Sequence, residues 1–385
     1  MFELYSQGIL TSRDAWVYSF FKKGLSLTIE NMINFYNSQV KEYKIIKHQN
    51  NIDVFINQDK KIISWSRSLK RNFSNGNQAE YKEDIIVPSI YRPYCKQWLY
   101  YDKLLNEYPS LIPKCFPSTQ LQNLVIVTTG IGSQKDVSAL ISNVIPDYHF
   151  QHNGQCFPLY SYEKQETTDQ GSLLPTQEGY VKKENIPDDI QTEFRETYQD
   201  QTISKEDIFY YVYGILHSPE YKQRFAADLK KMLPRIPYAA DFWAFSTAGR
   251  NLAHWHLNYE TIKPYNVTEY RGKIFLEDED YLVEKMTFDR VNKTVDKTTI
   301  IYNRHIKLHH IPLEAYEYIV NGKPALEWIM ERYQLTRDKD SGITNNPNHW
   351  SEDHRYIVDL VKRIVRVSME TVAIVKSLPP LNERQ

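Results

Sequence analysis

Between Ser26 and Lys47 the apolar residues Ile29, Met32, Ile33, Tyr36, Val40 and Tyr43 recur every three or four positions. That period shelters one face of an α-helix, so the stretch predicts an amphipathic helix. From about Ile52 to Tyr160 the pattern breaks into short runs and alternations, which predict strands and loops. Leu124-Val125-Ile126-Val127-Thr128 is a β-branched run closed by Gly130 and predicts a buried strand. Ser161 to Gln191 is polar, with Thr, Gln, Glu and Gly clustered, and reads as a linker or long loop.

The second half carries sharper signals. Ser204 with Asp207 three residues on has the form of a capping box, and Asp207 would face the positive end of the helix dipole. Ile208, Tyr211, Val212, Ile215 and Leu216 line the helix that follows. Ser218-Pro219 predicts a restart, with Ser as N-cap and Pro in the first turn, where its missing N–H costs nothing. Tyr221, Phe225, Ala226, Leu229, Met232 and Leu233 carry the apolar stripe on to Pro234, giving a helical hairpin or kinked pair. Arg271 to Ile311 alternates and reads as a small meander. Asn303-Arg304 stands as the tip of a hairpin between TTIIY and HIKL, with no glycine to support the turn. Pro324 starts another helix with Ala325, Trp328, Ile329 and Tyr333 inward. The last helix, about His354 to Leu378, buries Ile357, Leu360, Val361, Ile364, Val365, Val372 and Val375. These elements predict an α+β fold: mixed short-strand sheets, a helical hairpin and a long C-terminal helix. The expected divisions are 1–50 helical, 51–160 β-rich, 161–200 a polar linker and 201–385 α+β.

Composition narrows the chemistry. The 385 residues are 41% apolar and 25% charged, ordinary for a folded chain of two or three domains. No apolar run reaches membrane-spanning length, and MFELYSQGILTSRD lacks the basic and apolar regions of a secretory signal. Cys95, Cys115 and Cys156 are too few and scattered for a disulfide framework, and no CxxC pair supports zinc. A reducing cytoplasm is the expected home. Net charge is −1, so any attraction for a polyanion must come from a local patch.

Signatures of turnover are missing or misplaced. GIGSQK at 130–135 has glycines but no Lys-Ser/Thr pair opening a helix, and reads as a strand-ending turn. Among eleven histidines, the pairs His254/His256 and His309/His310 have no third donor at ligand spacing, so structural roles are expected. NNPNHW at 345–350 approaches the adenine-holding tetrapeptide of amino-methyltransferases, but Asn348 and His349 stand where Pro and an aromatic are needed. It reads as a polar turn capping the last helix. Pro187-Asp188 followed by Glu220-Tyr221-Lys222 formally matches the PD…ExK metal-nuclease pattern. However, Glu220 and Lys222 fall just after a helix N-cap rather than on a strand.

Several segments in order carry a family likeness. ELYSQGILTSRDAWVY, NMINFYNSQV, SIYRPYCKQWLYYD, GQCFPLYSY, KEDIFYYVYGILHSPEYKQRFAADLKKMLPRIP and GKPALEWIMERYQLTRDKDSGITNNPN resemble the C-terminal part of type ISP restriction–modification enzymes. In that family one polypeptide carries a nuclease, a helicase-like motor, a coupling region, an adenine-N6 methyltransferase core and a C-terminal target recognition domain. The resemblance places this chain just past the methyltransferase motifs, with residues 1–50 as the junction and 201–385 as a target recognition part. It implies a non-catalytic DNA specificity module whose partners are double-stranded DNA and the methyltransferase and motor domains. No cofactor is expected, because the methyl donor would bind the catalytic core.

A recognition module neutralises phosphates and offers a few side chains to base edges. In IYRPYCKQWLYYD, read as one strand, Arg92, Tyr94, Lys96 and Trp98 would share a face, with Pro93 marking an edge or bulge. That face fits DNA or an interdomain contact. Arg304 and Lys307, with His305 beside them, are the candidates for groove entry. Lys135 and Arg250 are candidates for phosphate. Arg13 and Asp14 are expected to pair with each other, and Arg235 to pin a helix end. A docking scaffold for the methyltransferase or motor, without DNA contact, is the alternative reading.

Overall fold

The computed structural model describes residues 1–46, 51–165 and 176–384. The predicted first helix runs Lys22–Ile45 and buries all six of the residues that predicted it. Four antiparallel strands form one sheet in the order Ser6–Gln7, Gln155–Pro158, Val125–Thr128, Ala139–Ser142. A second has the order Tyr18–Ser19, Cys95–Tyr100, Ile86–Arg92, Ile145–Pro146, the last pair being parallel.

Val125–Thr128 is buried on both faces. Because successive side chains of a strand point to opposite faces, Val125 and Val127 join one apolar core while Ile126 joins another. The first core also draws on the Lys22–Ile45 helix, the second sheet and the C-terminal helix Tyr356–Lys376. The second gathers the helices between 188 and 257. Segments 51–160 and 201–385 therefore contribute to both cores.

The stretch expected as a linker contains regular structure in its described parts. Tyr160–Lys164 and Tyr180–Glu184 pair as strands, and Asp188–Tyr198 is a helix that buries Phe194. Its middle, 166–175, lies outside the described residues.

The capping box forms as expected: the Ser204 hydroxyl accepts from Asp207 N–H, and Asp207 accepts in return from Ser204 N–H. The helix it starts, Lys205–His217, is buried all round from Ile208 onward. Its main partner is a helix that the periodicity did not reveal, Phe242–Leu257. The two cross at a pair of glycines. A Cβ on Gly214 would stand 2.1 Å from the Phe245 carbonyl oxygen, and one on Gly249 1.9 Å from that of Tyr210. Ser218-Pro219 restarts the chain as predicted, but the new helix breaks at Phe225 and ends at Leu229. Met232 is therefore exposed instead of completing the stripe.

The predicted meander is a four-stranded antiparallel sheet in the order Thr268–Arg271, Ile306–His309, Thr294–Ile301, Thr287–Val291. Helices Ala325–Arg332 and Tyr356–Lys376 then follow, burying Trp328, Ile329, Leu360 and Val361 among others. NNPNHW does not cap the last helix, which begins after Arg355. Its amides join distant segments instead: Asn345 accepts from Phe20 N–H and donates to Gln97, and Asn348 bridges both backbone groups of Val283. Among the described residues no helix is long and apolar enough to cross a membrane.

Candidate nucleic-acid interface

IYRPYCKQWLYYD is a hairpin, not a single strand. Arg92 lies opposite Cys95, and Pro93-Tyr94 makes the connection. Proline presets its own φ for a turn, and Tyr94 takes the left-handed conformation at φ 58°. The expected shared face is therefore split at the turn. Tyr94 turns inward, and its hydroxyl bonds that of Tyr318 at 2.7 Å. Tyr318 in turn bonds His256 at 3.1 Å.

Arg92 closes the first strand. Its guanidinium donates to Asp147 at 2.6 Å and to Asp14 at 3.4 Å, and lies 3.8 Å from the centre of the Tyr91 ring. Burial alone would lower its pKa, but Asp147, Tyr91 and Asp14 together raise it. Asp14 is thus the partner of Arg92, not of Arg13. Arg13 is buried and donates to the Leu105 carbonyl at 2.5 Å and to Ser66. Burial brings Arg13 down to about 10, against the pull of Glu107 and Asp102.

A row of cations runs from Arg92. Burial, and then the charge of Arg92, lowers the pKa of Arg332 at the end of helix Ala325–Arg332. Lys323 is lowered by burial first, then by Arg332 and by Lys135, with Glu327 opposing. Like charges are thus held near one another by three segments: the strand ending at Arg92, the loop at Lys135 and the continuous stretch from Lys323 to Arg332. Glu331 bonds both Lys323 and Arg332. Both cations also lie near the Trp328 ring, Lys323 at 4.6 Å and Arg332 at 5.6 Å from its centre, within cation–π range. Lys135 lies along Gly322, where an added Cβ would come within 3.1 Å of its Cδ. It is exposed and has no ion-pair partner among the described residues. Lys323 and Arg332 escaped the sequence reading because nothing local placed them beside Arg92 and Lys135.

The other candidates lie elsewhere. Lys96 is 2.6 Å from Glu260 and only 15% exposed. Arg250 holds Glu206 at 2.9 Å and Asp207 at 2.7 Å and covers the Tyr210 ring. The Asn303-Arg304 hairpin tip forms as expected, and a carboxamide does the work of the missing glycine. Asn303 Oδ1 accepts from the N–H groups of His305 and Ile306, while Nδ2 donates to the carbonyls of Asp280 and Leu282. Arg304 is exposed, with its Nε 2.8 Å from His305. His305 faces Asp280 at 3.2 Å, and Lys307 holds Asp289 at 2.9 Å. Arg235 is exposed, and it is its carbonyl, accepting from the Tyr221 hydroxyl at 2.9 Å, that secures the helix end.

The two carboxylates of the nuclease pattern have other partners. Asp188 pairs with Lys205 at 2.6 Å, and Glu220 accepts from Leu381 N–H at 2.7 Å. Among the described residues no cluster of three His, Cys, Asp or Glu could hold a metal ion.

An α+β domain with a cluster of cations and an exposed hairpin tip at Arg304 fits the class of macromolecular recognition modules. The model of the type ISP C-terminal specificity domain matches residues 1–360, and the chain belongs to that family. Similar solved structures include the following three. A nuclease-deletion mutant of the type ISP restriction–modification enzyme LlaGI, in complex with a DNA substrate mimic, is 34% identical with a TM-score of 0.87, covering 100% of this chain and 34% of that one. The ATP-dependent type ISP enzyme LlaBIII bound to DNA is 32% identical with a TM-score of 0.85, covering 100% and 23%. DrdV in complex with DNA is 28% identical with a TM-score of 0.83, covering 99% and 36%. The chain thus spans little more than a third, or less, of each of them. No curated protein matches it.

Proposed function

We propose that this chain recognises a short sequence in double-stranded DNA and positions it for an adenine-N6 methyltransferase and a nuclease/translocase supplied by the rest of the polypeptide or by another chain. It contributes fit and charge, and no reacting group of its own. The carrying observation is the end-to-end likeness to type ISP enzymes solved on DNA. Lys135 supplies a phosphate contact, and Lys323 and Arg332, which share the single carboxylate of Glu331, leave one further positive charge beside it, while Arg92 is balanced by Asp14 and Asp147. Arg304 and His305 contribute from the hairpin tip, while Lys96, Arg250 and Lys307 serve mainly through their carboxylate partners.

Selection from a pool of duplexes with a randomised central segment tests this reading. Enrichment of one short sequence is expected, and recovery of an unselected pool overturns it.

A second reading, docking onto the methyltransferase or motor without DNA contact, draws on two observations. Several candidate cations are bound to internal carboxylates, and Ile274 and Phe275 are 90% and 86% exposed. Capture of a separately expressed catalytic core with no duplex selection would favour it.

A further inference from the structure

The outer hairpin of the four-stranded sheet extends beyond its neighbours. Asp289, Arg290 and Val291 pair with Asp296, Val295 and Thr294, and no third strand joins that part of the ladder. A register shift after Phe288 sets this distal ribbon apart from the rest of the sheet. The connection is two residues, Asn292-Lys293, with φ of 50° and 69°. Two positive φ values make the tight turn that matches strand twist, and glycine is the usual second residue. Here the position carries a lysine despite the strain. Among the described residues the side chains of Arg290, Asn292 and Lys293 have no partner, and all three are exposed. Val291 and Val295 are 58% and 48% exposed.

Building on the DNA reading above, we propose that this ribbon is a base-reading element that enters the major groove. The groove, about 12 Å wide, admits a two-stranded ribbon. The free cations sit at its tip, where a polyanion would meet them, while Asp289 and Asp296 at its base are engaged by Lys307 and Thr298. Facing pairs of a ribbon share a side, so Arg290 and Val295 lie on one face and Val291 and Thr294 on the other. The chemistry suits base edges. Asn292 can bond adenine N6 and N7, Arg290 or Lys293 guanine O6 and N7, and the valine and threonine methyl groups a thymine methyl.

The test repeats the duplex selection with the 1–385 chain carrying N292G and K293G together, which keeps the positive-φ turn, and separately with R290A. The sequence chosen by the wild type is then titrated against each variant. Both variants are expected to lose preference at two or three adjacent base pairs and to bind the selected duplex about 10-fold or more weakly, with unchanged or higher thermal stability. Selection of the same sequence at the same affinity overturns the ribbon and leaves the DNA reading standing. A uniform loss of affinity with intact preference also overturns it, because the ribbon would then touch phosphate alone. If the wild type selects nothing, the DNA reading itself fails and the ribbon with it.

Discussion

Lys307 reaches past the intervening strand Thr294–Ile301 to hold Asp289 on the outer strand, at 2.9 Å. Asp289 is the first residue after the register shift, so this bond anchors the base of the ribbon. The Lys307 hydrogen bond and charge hold the Asp289 carboxyl below its usual range. Substituting Lys307→Met should loosen the ribbon without unfolding the sheet. Hydrogen exchange read by mass spectrometry should show amides of the 289–296 ladder exchanging at least about 10-fold faster, while Lys307→Arg retains most of the protection. Equal exchange in all three proteins would show that the ion pair positions nothing.

The helix crossing depends on two missing side chains. At Gly214 and Gly249 a methyl group would collide with backbone oxygen, which cannot rotate away as a side chain can. Ala at either position should cost about 1–3 kcal/mol or more, read as a lower urea midpoint. Ala at Gly132, where an added Cβ meets nothing but φ is +75°, serves as a control for strain without a clash.

Stability should fall in mild acid because of two buried histidines. Burial, reinforced by Lys222, pushes His217 down to about 3. His256, bonded to Tyr213, Tyr318 and Thr371, is driven well below its ordinary value by burial and by His217. In the unfolded chain both take up protons near pH 6.5, while the folded state resists. Their contribution is therefore complete above that pH and is lost as pH falls toward 3, at up to about 1.4 kcal/mol per pH unit for each. Denaturation midpoints between pH 7 and 4 should show this slope, and His256→Gln should flatten it. An unaltered slope would contradict the assignment.

Glu269 behaves in the familiar carboxylate sense. Burial would raise it, but Arg355, Lys362 and Arg271 bring it down to about 2. Its folded pKa lies below its unfolded value near 4.5, so the stabilisation is present above pH 4.5 and lost as pH drops toward 2. Glu269→Gln should lower Tm at pH 7 and make little difference near pH 2. A difference that persists at pH 2 would mean that packing, not charge, is what the substitution removes.

Much of this architecture was legible because its signals are local. Ser204 and Asp207 meet within one helical turn, and the Ile29-to-Tyr43 stripe is buried just as its period requires. Reading failed where partners come from far along the chain. Phe242–Leu257 is recognised by the close approach of Gly249 to Tyr210, which no period announces. Arg92 read as part of a DNA-facing or interdomain face because its partners Asp14 and Asp147 are remote in sequence. Pro93 read as an edge or bulge, and Tyr94 as one face of a continuing strand, because a positive φ at tyrosine is uncommon. For the site, the Asn303-Arg304 turn was visible from its flanking alternation. The Asn292-Lys293 turn was not, since lysine gives no hint of a left-handed conformation.

Salt dependence of duplex binding tests the account most directly. Each cation–phosphate contact adds about 0.9 to the slope of log affinity against log salt, so the surplus of about two charges that Lys135, Lys323 and Arg332 leave around Glu331 predicts a loss on the order of 10-fold between 50 and 200 mM salt. Titrating a fluorescent duplex with the 1–385 chain at both concentrations should show at least that loss, and a smaller one after Lys135→Glu and Lys323→Glu. Binding that ignores salt, or no binding at either concentration, would contradict a role in gripping DNA.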